Sequence, residues 1–160
     1  MQRVKIICVG KLKERYWSAA VEEYLKRLNA FCKAEIKEIA EVRLPDNPSP
    51  AQIEEGLQKE GQKILAEIPA GAYTYCLQVE GKQCSSEALA RQIAELAVAG
   101  KSTVVFIIGS SFGLARSVKQ RGDCALSFSK MTFPHQLARV VLLEQIYRAF
   151  SIEAGTKYHK

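Results

Sequence analysis

The sequence predicts one α/β domain with a mostly parallel sheet and helices on both faces. Segments with strand character alternate with segments of helical periodicity along all 160 residues, as in chains of βα units. Residues 103–108 are almost entirely apolar and β-branched, which is typical of a central strand buried on both faces. Domains commonly contain about 100–150 residues, so we expect a single domain over residues 1–160.

The first strand and helix are predicted by a change of periodicity near the start of the chain. Residues 4–9 form a β-rich run that closes at Gly10. Between residues 17 and 31 the apolar positions then recur every three or four residues, which predicts a helix with one buried face. Residues 34–38 alternate in polarity and predict a second strand.

The middle of the chain repeats this order of helix and strand. Ser49 precedes a proline at the first helical position and a glutamine three residues after the cap, which together indicate a helix N-terminus. Residues 73–79 predict a strand that turns at residues 80–82. The next helix begins with a cap at Ser85 or Ser86.

The last third contains the buried strand at residues 103–108, which runs directly into a glycine loop at 109–113. A short helix or turn over residues 114–121 precedes a last strand at 125–128, and a long helix starts at Pro134. Ligands of parallel sheets lie beyond the carboxyl ends of the strands. We therefore expect a site formed by the loops after Val79, Ile108 and Phe128.

Charge, cysteines and hydropathy narrow the class of protein. The net charge is +6, and both ends are basic: residues 1–34 carry +5 and residues 129–160 carry +3. Such ends suit RNA or phosphate, although ordinary solvated charges explain charge alone equally well. The five widely spaced cysteines predict reduced core thiols and no metal site. No apolar run approaches the roughly 20 residues of a membrane span, and no leader precedes the first strand, so we expect a cytoplasmic protein.

Three segments are candidates for chemistry, and each also has a plain structural interpretation. The glycine loop at residues 109–113 allows a ligand to approach the backbone, but by itself it is more often a strand-to-helix turn. It lacks the spacing of a Walker or dinucleotide loop. Residues 126–136 mix hydroxyl, apolar and basic side chains, and His135 lies in the first turn of a helix, where the dipole disfavours a positive charge. The tail at residues 151–160, which ends in Tyr158-His159-Lys160, holds the second histidine, although chain ends usually fray.

Four segments are more specific in combination than any of them is alone. They are residues 106–114, 127–136, 139–150 and 158–160. In combination they resemble the RlmH family of SPOUT methyltransferases, and the resemblance extends along essentially the whole chain. Members of this family methylate N3 of a pseudouridine in 23S ribosomal RNA of the assembled ribosome. The resemblance implies a carboxyl-terminal trefoil knot, a homodimer and S-adenosylmethionine as cofactor.

The resemblance also implies roles for particular residues. The positions that match the cofactor pocket are Leu77, Gly109, Phe128, Ser129, Lys130, Met131, Thr132 and Phe133. His135, Tyr158 and His159 match the polar groups around the acceptor base, which needs help in losing its N3 proton. Arg139, Arg148 and Lys160 match positions available for phosphate contacts or for the developing anion. We expect the tail to contribute together with His135, across the dimer interface if the site uses both subunits.

Two departures and three rival functions accompany this interpretation. The family commonly has an aspartate and a second glycine where this chain has Gln78 and Ser110, so details of the pocket are open. One rival is a binding module of the same fold without turnover. Another is a SPOUT enzyme acting on transfer RNA, which usually carries an additional RNA-binding segment. A P-loop or Rossmann enzyme conflicts with the missing motifs.

Overall fold

The computed structural model describes residues 1–160 and contains five strands and five helices in strict alternation. In chain order they are β1 (Arg3–Val9), α1 (Arg15–Leu28), β2 (Lys33–Ile39), α2 (Pro50–Glu67), β3 (Tyr73–Lys82), α3 (Ser86–Val98), β4 (Thr103–Ile108), α4 (Arg116–Arg121), β5 (Cys124–Leu126) and α5 (His135–Glu153). The predicted order of elements is confirmed along the whole chain.

The five strands form one parallel sheet in the order β2-β1-β4-β3-β5. β4 lies in the middle, paired with β1 on one side and β3 on the other. All of its residues after Thr103 are buried, as predicted from its apolar composition. Because every strand runs the same way, the loops after β1, β3, β4 and β5 emerge at one edge of the sheet.

Helices cover both faces of the sheet, as predicted. Alternate side chains of a strand point to opposite faces. Ile6 and Phe106 belong to the apolar core beneath α1, α3 and α5, where Phe106 stacks on Tyr75 at a ring distance of 4.8 Å. Ile7 and Ile107 belong to the core beneath α2 and α4. Two separate apolar layers therefore fix the sheet and all five helices relative to one another.

Two helix N-termini are set by serine caps. Ser49 Oγ accepts a hydrogen bond from Gln52 N at 3.2 Å, and Gln52 Oε1 accepts one from Ser49 N at 2.8 Å. This reciprocal pair is the predicted capping box. Of the two candidate caps of α3, Ser85 is the one used, since its hydroxyl accepts from Ala88 N at 3.1 Å.

The predicted end of the third strand at Val79 is wrong, although the chain does double back before Lys82. β3 continues to Lys82 and meets β5 a second time after a register shift, because both Leu77 and Lys82 pair with Leu126. Gly81 permits this return: a Cβ placed there would lie 2.8 Å from the Ala125 backbone. A side chain at this position would push β5 away, so the strand needs glycine where the two backbones cross.

The cysteines agree only partly with the prediction of core thiols. All five are free, and Cys8, Cys32 and Cys76 are buried. Burial raises the pKa of the Cys32 and Cys76 thiols to about 11, so both stay protonated and unreactive. Cys84, however, is exposed at the turn before α3. Separately, none of the helices combines the length and the apolar character needed to cross a membrane.

Candidate active site

A cleft of about 690 Å³ opens at the carboxyl edge of the sheet. Its walls come from the ends of β3, β4 and β5 and from the start of α5, where the rule for parallel sheets places a ligand. The lining residues are Leu77, Gln78, Val79, Glu80, Ile108, Gly109, Ser110, Ser111, Phe112, Gly113, Leu114, Lys119, Leu126, Phe128, Ser129, Met131, Thr132, Phe133, Pro134, His135 and Ala138. All three predicted loops therefore contribute to one cavity.

The loop after β4 is folded back on itself. Gly113 N donates to Ser110 O at 2.9 Å, and Gly113 has a φ of 94°, a conformation that side chains disfavour. A Cβ at Gly109 would lie only 2.3 Å from the Gly113 carbonyl oxygen. Gly109 is therefore required by the close approach of backbone to backbone, and the loop that it closes lines the cleft.

The segment between β5 and α5 is fastened at its first residue. Ser127 N donates to Lys82 O at 3.0 Å, and Ser127 Oγ donates to Val79 O at 2.8 Å. Ser127 is buried, whereas Phe128 is half-buried and lines the cleft. Further along, Ser129 Oγ accepts from Met131 N at 3.0 Å. These bonds hold an apolar wall against the end of β3 while its side chains stay accessible to a ligand.

Seven of the eight predicted cofactor positions line the cleft. They are Leu77, Gly109, Phe128, Ser129, Met131, Thr132 and Phe133. Lys130 is exposed and does not line the cleft. Lys119 and Ala138 also line the cleft but were not predicted, since neither belongs to a local motif. Their only signal is that α4 and α5 follow loops of this edge.

Glu80 and Lys119 form an ion pair on the cleft wall that the sequence did not reveal. Lys119 Nζ lies 3.3 Å from Glu80 Oε1. The Glu80 backbone N–H and, to a smaller extent, the Lys119 ammonium hold the pKa of the Glu80 carboxyl below its usual value. The carboxylate is therefore charged at neutral pH, and it gives the cleft a negative group beside its apolar walls.

His135 is the first residue of α5 and lines the opposite wall of the cleft. Its ring is half-buried and faces the end of β1: His135 Nε2 lies 4.0 Å from where a Cβ at Gly10 would stand. Glu41 Oε2 lies 3.9 Å from the same point. A Cβ would therefore fit between these groups, and it is the φ of 97° that favours glycine at the end of β1.

Arg139 requires a correction to the predicted set of phosphate contacts. Only 2% of its surface is exposed, and its guanidinium is held inside the protein. Nη1 lies 2.8 Å from Glu38 Oε2, and Nη2 donates to Gly10 O at 3.3 Å. A buried arginine paired in this way stabilises the contact between α5 and the ends of β1 and β2, and it cannot reach a phosphate.

The tail does not meet the cleft of its own chain. Gly155 N donates to Ile152 O and Thr156 N donates to Ser151 O, which is a Schellman motif, with Gly155 at φ 68°. The motif ends α5 and sends the tail back along the helix, where Tyr158 Oη donates to Glu144 Oε2 at 2.7 Å. At about 1.5 Å per residue, Glu144 lies roughly 14 Å along α5 from His135.

We call the group around this contact the tail cluster. Its members are Tyr24 from α1, Glu87 from α3, Glu144 and Arg148 from α5, and Tyr158 and His159 from the tail. Arg148, predicted to contact phosphate, is engaged in this cluster, whereas Lys160 is exposed. Of the three predicted catalytic residues, a single chain thus places one in the cleft and two in the tail cluster.

A second cavity of about 360 Å³ adjoins the cleft. It shares Leu126, Phe128 and Phe133 with the cleft, and its far side is formed by α3 and α5. There Ser86 Oγ donates to Gln145 Oε1 at 2.6 Å. The two aromatic side chains therefore lie between the two cavities, and neither cavity is lined by a member of the tail cluster.

Comparison with known proteins identifies the family. The family model described as "Predicted SPOUT methyltransferase" matches residues 2–159. The chain belongs to the SPOUT methyltransferase family. It is also 52% identical to a protein named "Ribosomal RNA large subunit methyltransferase H" from Clostridium novyi (strain NT), over 98% of this chain and 99% of that protein. The predicted resemblance is therefore confirmed.

Two solved structures share the fold of this SPOUT chain at low sequence identity. A probable methyltransferase from Bordetella pertussis Tohama I is 14% identical, with a TM-score of 0.55, over 93% of this chain and 96% of the other. A probable methylase family protein from Haemophilus influenzae Rd KW20 is 10% identical, with a TM-score of 0.51, over 99% of this chain and 70% of the other. Both likenesses concern the fold alone.

The polar groups of this SPOUT methyltransferase do not form a metal centre. No group of three or more His, Cys, Asp or Glu side chains lies together in a way that would hold a metal ion. What the cleft offers is an apolar wall, hydroxyl side chains, the Glu80–Lys119 ion pair and one imidazole. This combination suits a flat, partly polar ligand beside a group that accepts or donates a proton.

Proposed function

We propose that this chain is an S-adenosylmethionine-dependent methyltransferase that modifies N3 of a pseudouridine in 23S ribosomal RNA within the assembled ribosome. The observation that carries the proposal is the convergence of seven predicted cofactor positions on one cleft, with His135 on its wall. The relative from Clostridium novyi, by its name, acts on large-subunit ribosomal RNA. An enzyme with this substrate works in the cytoplasm, where ribosomes are.

The cleft fits the proposed cofactor in size and chemistry. Binding pockets for small molecules usually have volumes of about 300–1,000 Å³ and are mostly apolar with a few polar groups. Leu77, Phe128 and Phe133 offer apolar surface for an adenine ring, and the Gly109 loop adds the hydroxyls of Ser110 and Ser111 to the lining. S-adenosylmethionine supplies an activated methyl group when it is bound. The Glu80 carboxylate suits its positively charged amino group.

The acceptor nitrogen requires a group on the protein that can take up its proton. N3 of pseudouridine is an imide nitrogen, which attacks well only after losing its proton. His135 is the proposed group that receives this proton, because it lies on the cleft wall at the start of α5. Exposed basic residues, among them Lys160, are proposed to contact RNA phosphates and so to hold the chain on the ribosome.

The proposed enzyme is a homodimer whose site combines residues of two subunits. The support is geometric: Glu144, which binds the tail, lies roughly 14 Å along α5 from His135, and neither Tyr158 nor His159 lines the cleft of its own chain. If Tyr158 and His159 act beside the acceptor base, they therefore act in the cleft of a second subunit. Each subunit would then supply a cleft to one site and a tail to the other.

A carboxyl-terminal trefoil knot is proposed from the same family pattern. It is supported by the tight passage of β5 past Gly81, where a Cβ would lie 2.8 Å from the Ala125 backbone. The bonds from Ser127 to Lys82 O and Val79 O fasten the chain immediately after this crossing. A knot at this edge would keep the cofactor loops close together without a charged binding motif.

Methyl transfer to ribosomes tests the proposed function. Ribosomes with and without pre-existing pseudouridine are incubated with the protein and S-adenosylmethionine labelled on the methyl group, and 23S RNA is then digested to nucleosides. We expect label in N3-methylpseudouridine, and only when pseudouridine is already present. If calorimetry shows cofactor binding but no methyl group is transferred, the result would favour the rival function, a binding module of the same fold. Label in transfer RNA instead would indicate a SPOUT enzyme with another target.

A further inference from the structure

We infer that Glu144 and Glu87 are positioning residues of the methyl transfer, because they hold the Tyr158–His159 segment in one conformation for its contact with the acceptor nucleotide. The inference rests on the proposed function, in which the tail contributes to the site. It adds two carboxylates on α5 and α3, neither of which lines the cleft. Their role follows from the contacts that each makes with the tail.

Tyr158 is fixed from three sides. Its hydroxyl donates to Glu144 Oε2 at 2.7 Å, its ring lies edge-to-face against Tyr147 at 4.7 Å, and the Arg148 guanidinium lies 4.8 Å from the ring centre. A tyrosine with both its hydroxyl and its ring engaged has little freedom left. The ring orientation is therefore set by α5 and not by the tail itself.

Glu144 is the centre of this arrangement. Tyr24 Oη donates to the same Oε2 atom at 2.7 Å, and Arg148 Nη2 lies 2.6 Å from Oε1. Burial raises the pKa of the Glu144 carboxyl, but hydrogen bonds from Tyr24, Tyr158 and Arg148 outweigh it and leave the pKa below its usual value. One carboxylate thus joins α1, α5 and the tail, with bonds to both of its oxygens.

His159 is held through both ring nitrogens. Arg148 Nη1 lies 3.1 Å from Nδ1, and Glu87 Oε1 lies 2.8 Å from Nε2. An arginine can only donate and an ionised carboxylate can only accept. Nδ1 must therefore accept and Nε2 must carry the proton, so these contacts select the neutral imidazole with its proton on Nε2.

These contacts imply different roles for His159 and His135. While His159 keeps its contacts, neither nitrogen has a lone pair free to take the N3 proton. His159 is then a group that orients the tail, and His135 in the cleft remains free to act as the base. Glu87 and Arg148 determine which way the His159 ring faces, and Glu144 determines the direction of Tyr158.

Glu144→Gln and Glu87→Gln test the inference by two independent measurements. Trypsin cleaves after Lys157, which is exposed, and so releases Tyr158–Lys160 when the tail leaves its place; mass spectrometry measures the loss. Methyl transfer to ribosomes is measured beside it. Glu55→Gln is the matched control, because it removes the carboxylate of an exposed i,i+4 pair with Lys59 on α2, far from the tail.

We expect both variants to lose the tail faster than the wild type and to lower kcat roughly 10- to 100-fold, as misplacement of a reacting group does. Their affinity for S-adenosylmethionine should be unchanged, and Glu55→Gln should match the wild type in every measurement. Faster tail cleavage with full activity would overturn the positioning role. So would lost activity with a protected tail, or no effect on either.

The same experiment distinguishes a failure of the proposed function from a failure of the positioning role. If the wild type itself transfers no methyl group to ribosomes, the proposed function fails and the positioning role in that reaction falls with it. The cleavage measurement still decides whether the two carboxylates hold the tail. Circular dichroism of each variant shows that a lost tail is not a consequence of general unfolding.

Discussion

The two halves of α5 carry different kinds of polar group. At its start, His135 borders an open cleft formed by three loops that follow three different strands. In the middle and second half of the helix, Glu144 and Arg148 bond to each other, to Tyr24 on α1 and to the tail. The first half is ready to receive a ligand, whereas the second has already satisfied these hydrogen-bonding groups within the protein.

This difference indicates how a small domain divides its work. A group that exchanges a proton with substrate needs a free lone pair and access, which the cleft provides. A group that holds another in place needs partners on every side, which the tail cluster provides. The helix α5 joins His135 to the tail cluster, so the proposed reaction depends on both. Within one chain, only His135 takes part in the chemistry.

The largest expected effect comes from removing the free imidazole. His135→Ala should lower kcat for methyl transfer about 100-fold or more, because positioned acid–base groups typically contribute roughly 10²–10⁴. Trypsin cleavage after Lys157 should be unchanged, since the tail cluster does not touch His135. Activity near that of the wild type would contradict the proposed difference between His135, as the base, and the tail cluster, as a holding group.

A second test concerns the cleft itself. Gly109→Ala should weaken binding of S-adenosylmethionine by about 10- to 100-fold, since a Cβ would stand 2.3 Å from the Gly113 carbonyl oxygen and must displace the loop. Calorimetry measures the affinity. Gly56→Ala is the control, because a Cβ there meets no backbone and only the side chains of Leu44 at 3.1 Å and Val42 at 3.7 Å. Equal affinities in the two variants would contradict the role of the glycine loop.

His159 variants sharpen the contrast between the two histidines. A glutamine at this position keeps an N–H that can donate to Glu87, whereas alanine keeps nothing. We expect His159→Gln to retain activity within about threefold of the wild type, and His159→Ala to lose about tenfold, the equivalent of one hydrogen bond to a charged group. If both variants were as inactive as His135→Ala, His159 would be the base.

The smallest expected effect is a pH dependence of stability at the tail cluster. Because the pKa of Glu144 is lower in the folded protein, its contribution is present above the ordinary glutamate pKa of about 4.3 and is lost as the pH falls through the folded value. The difference in free energy of unfolding between the wild type and Glu144→Gln should be about 1 kcal/mol at pH 6. Urea titrations should show it shrinking below pH 4; a difference that grows with acid would reverse the assignment.

Most of the fold could be predicted from the sequence because its signals are local. The capping box at Ser49 needs only three neighbouring residues, and the central strand at Thr103–Ile108 is marked by its own composition. The continuation of β3 through Gly81 could not be predicted, because it depends on a crossing with Ala125, which is distant in the chain. A glycine after a strand looks the same whether it turns or crosses.

The same distinction between local and distant signals applies to the candidate site. The sequence by itself determined the strand ends that form the cleft and, through family resemblance, seven residues that line it. Tertiary structure alone decided that Arg139 is buried against Glu38, that Arg148 is bound by Glu144, and that Tyr158 and His159 lie away from His135 in one chain. The reason is physical: an arginine or histidine has the same side chain everywhere, and only packing determines whether its hydrogen bonds are given to the protein or left free for a ligand.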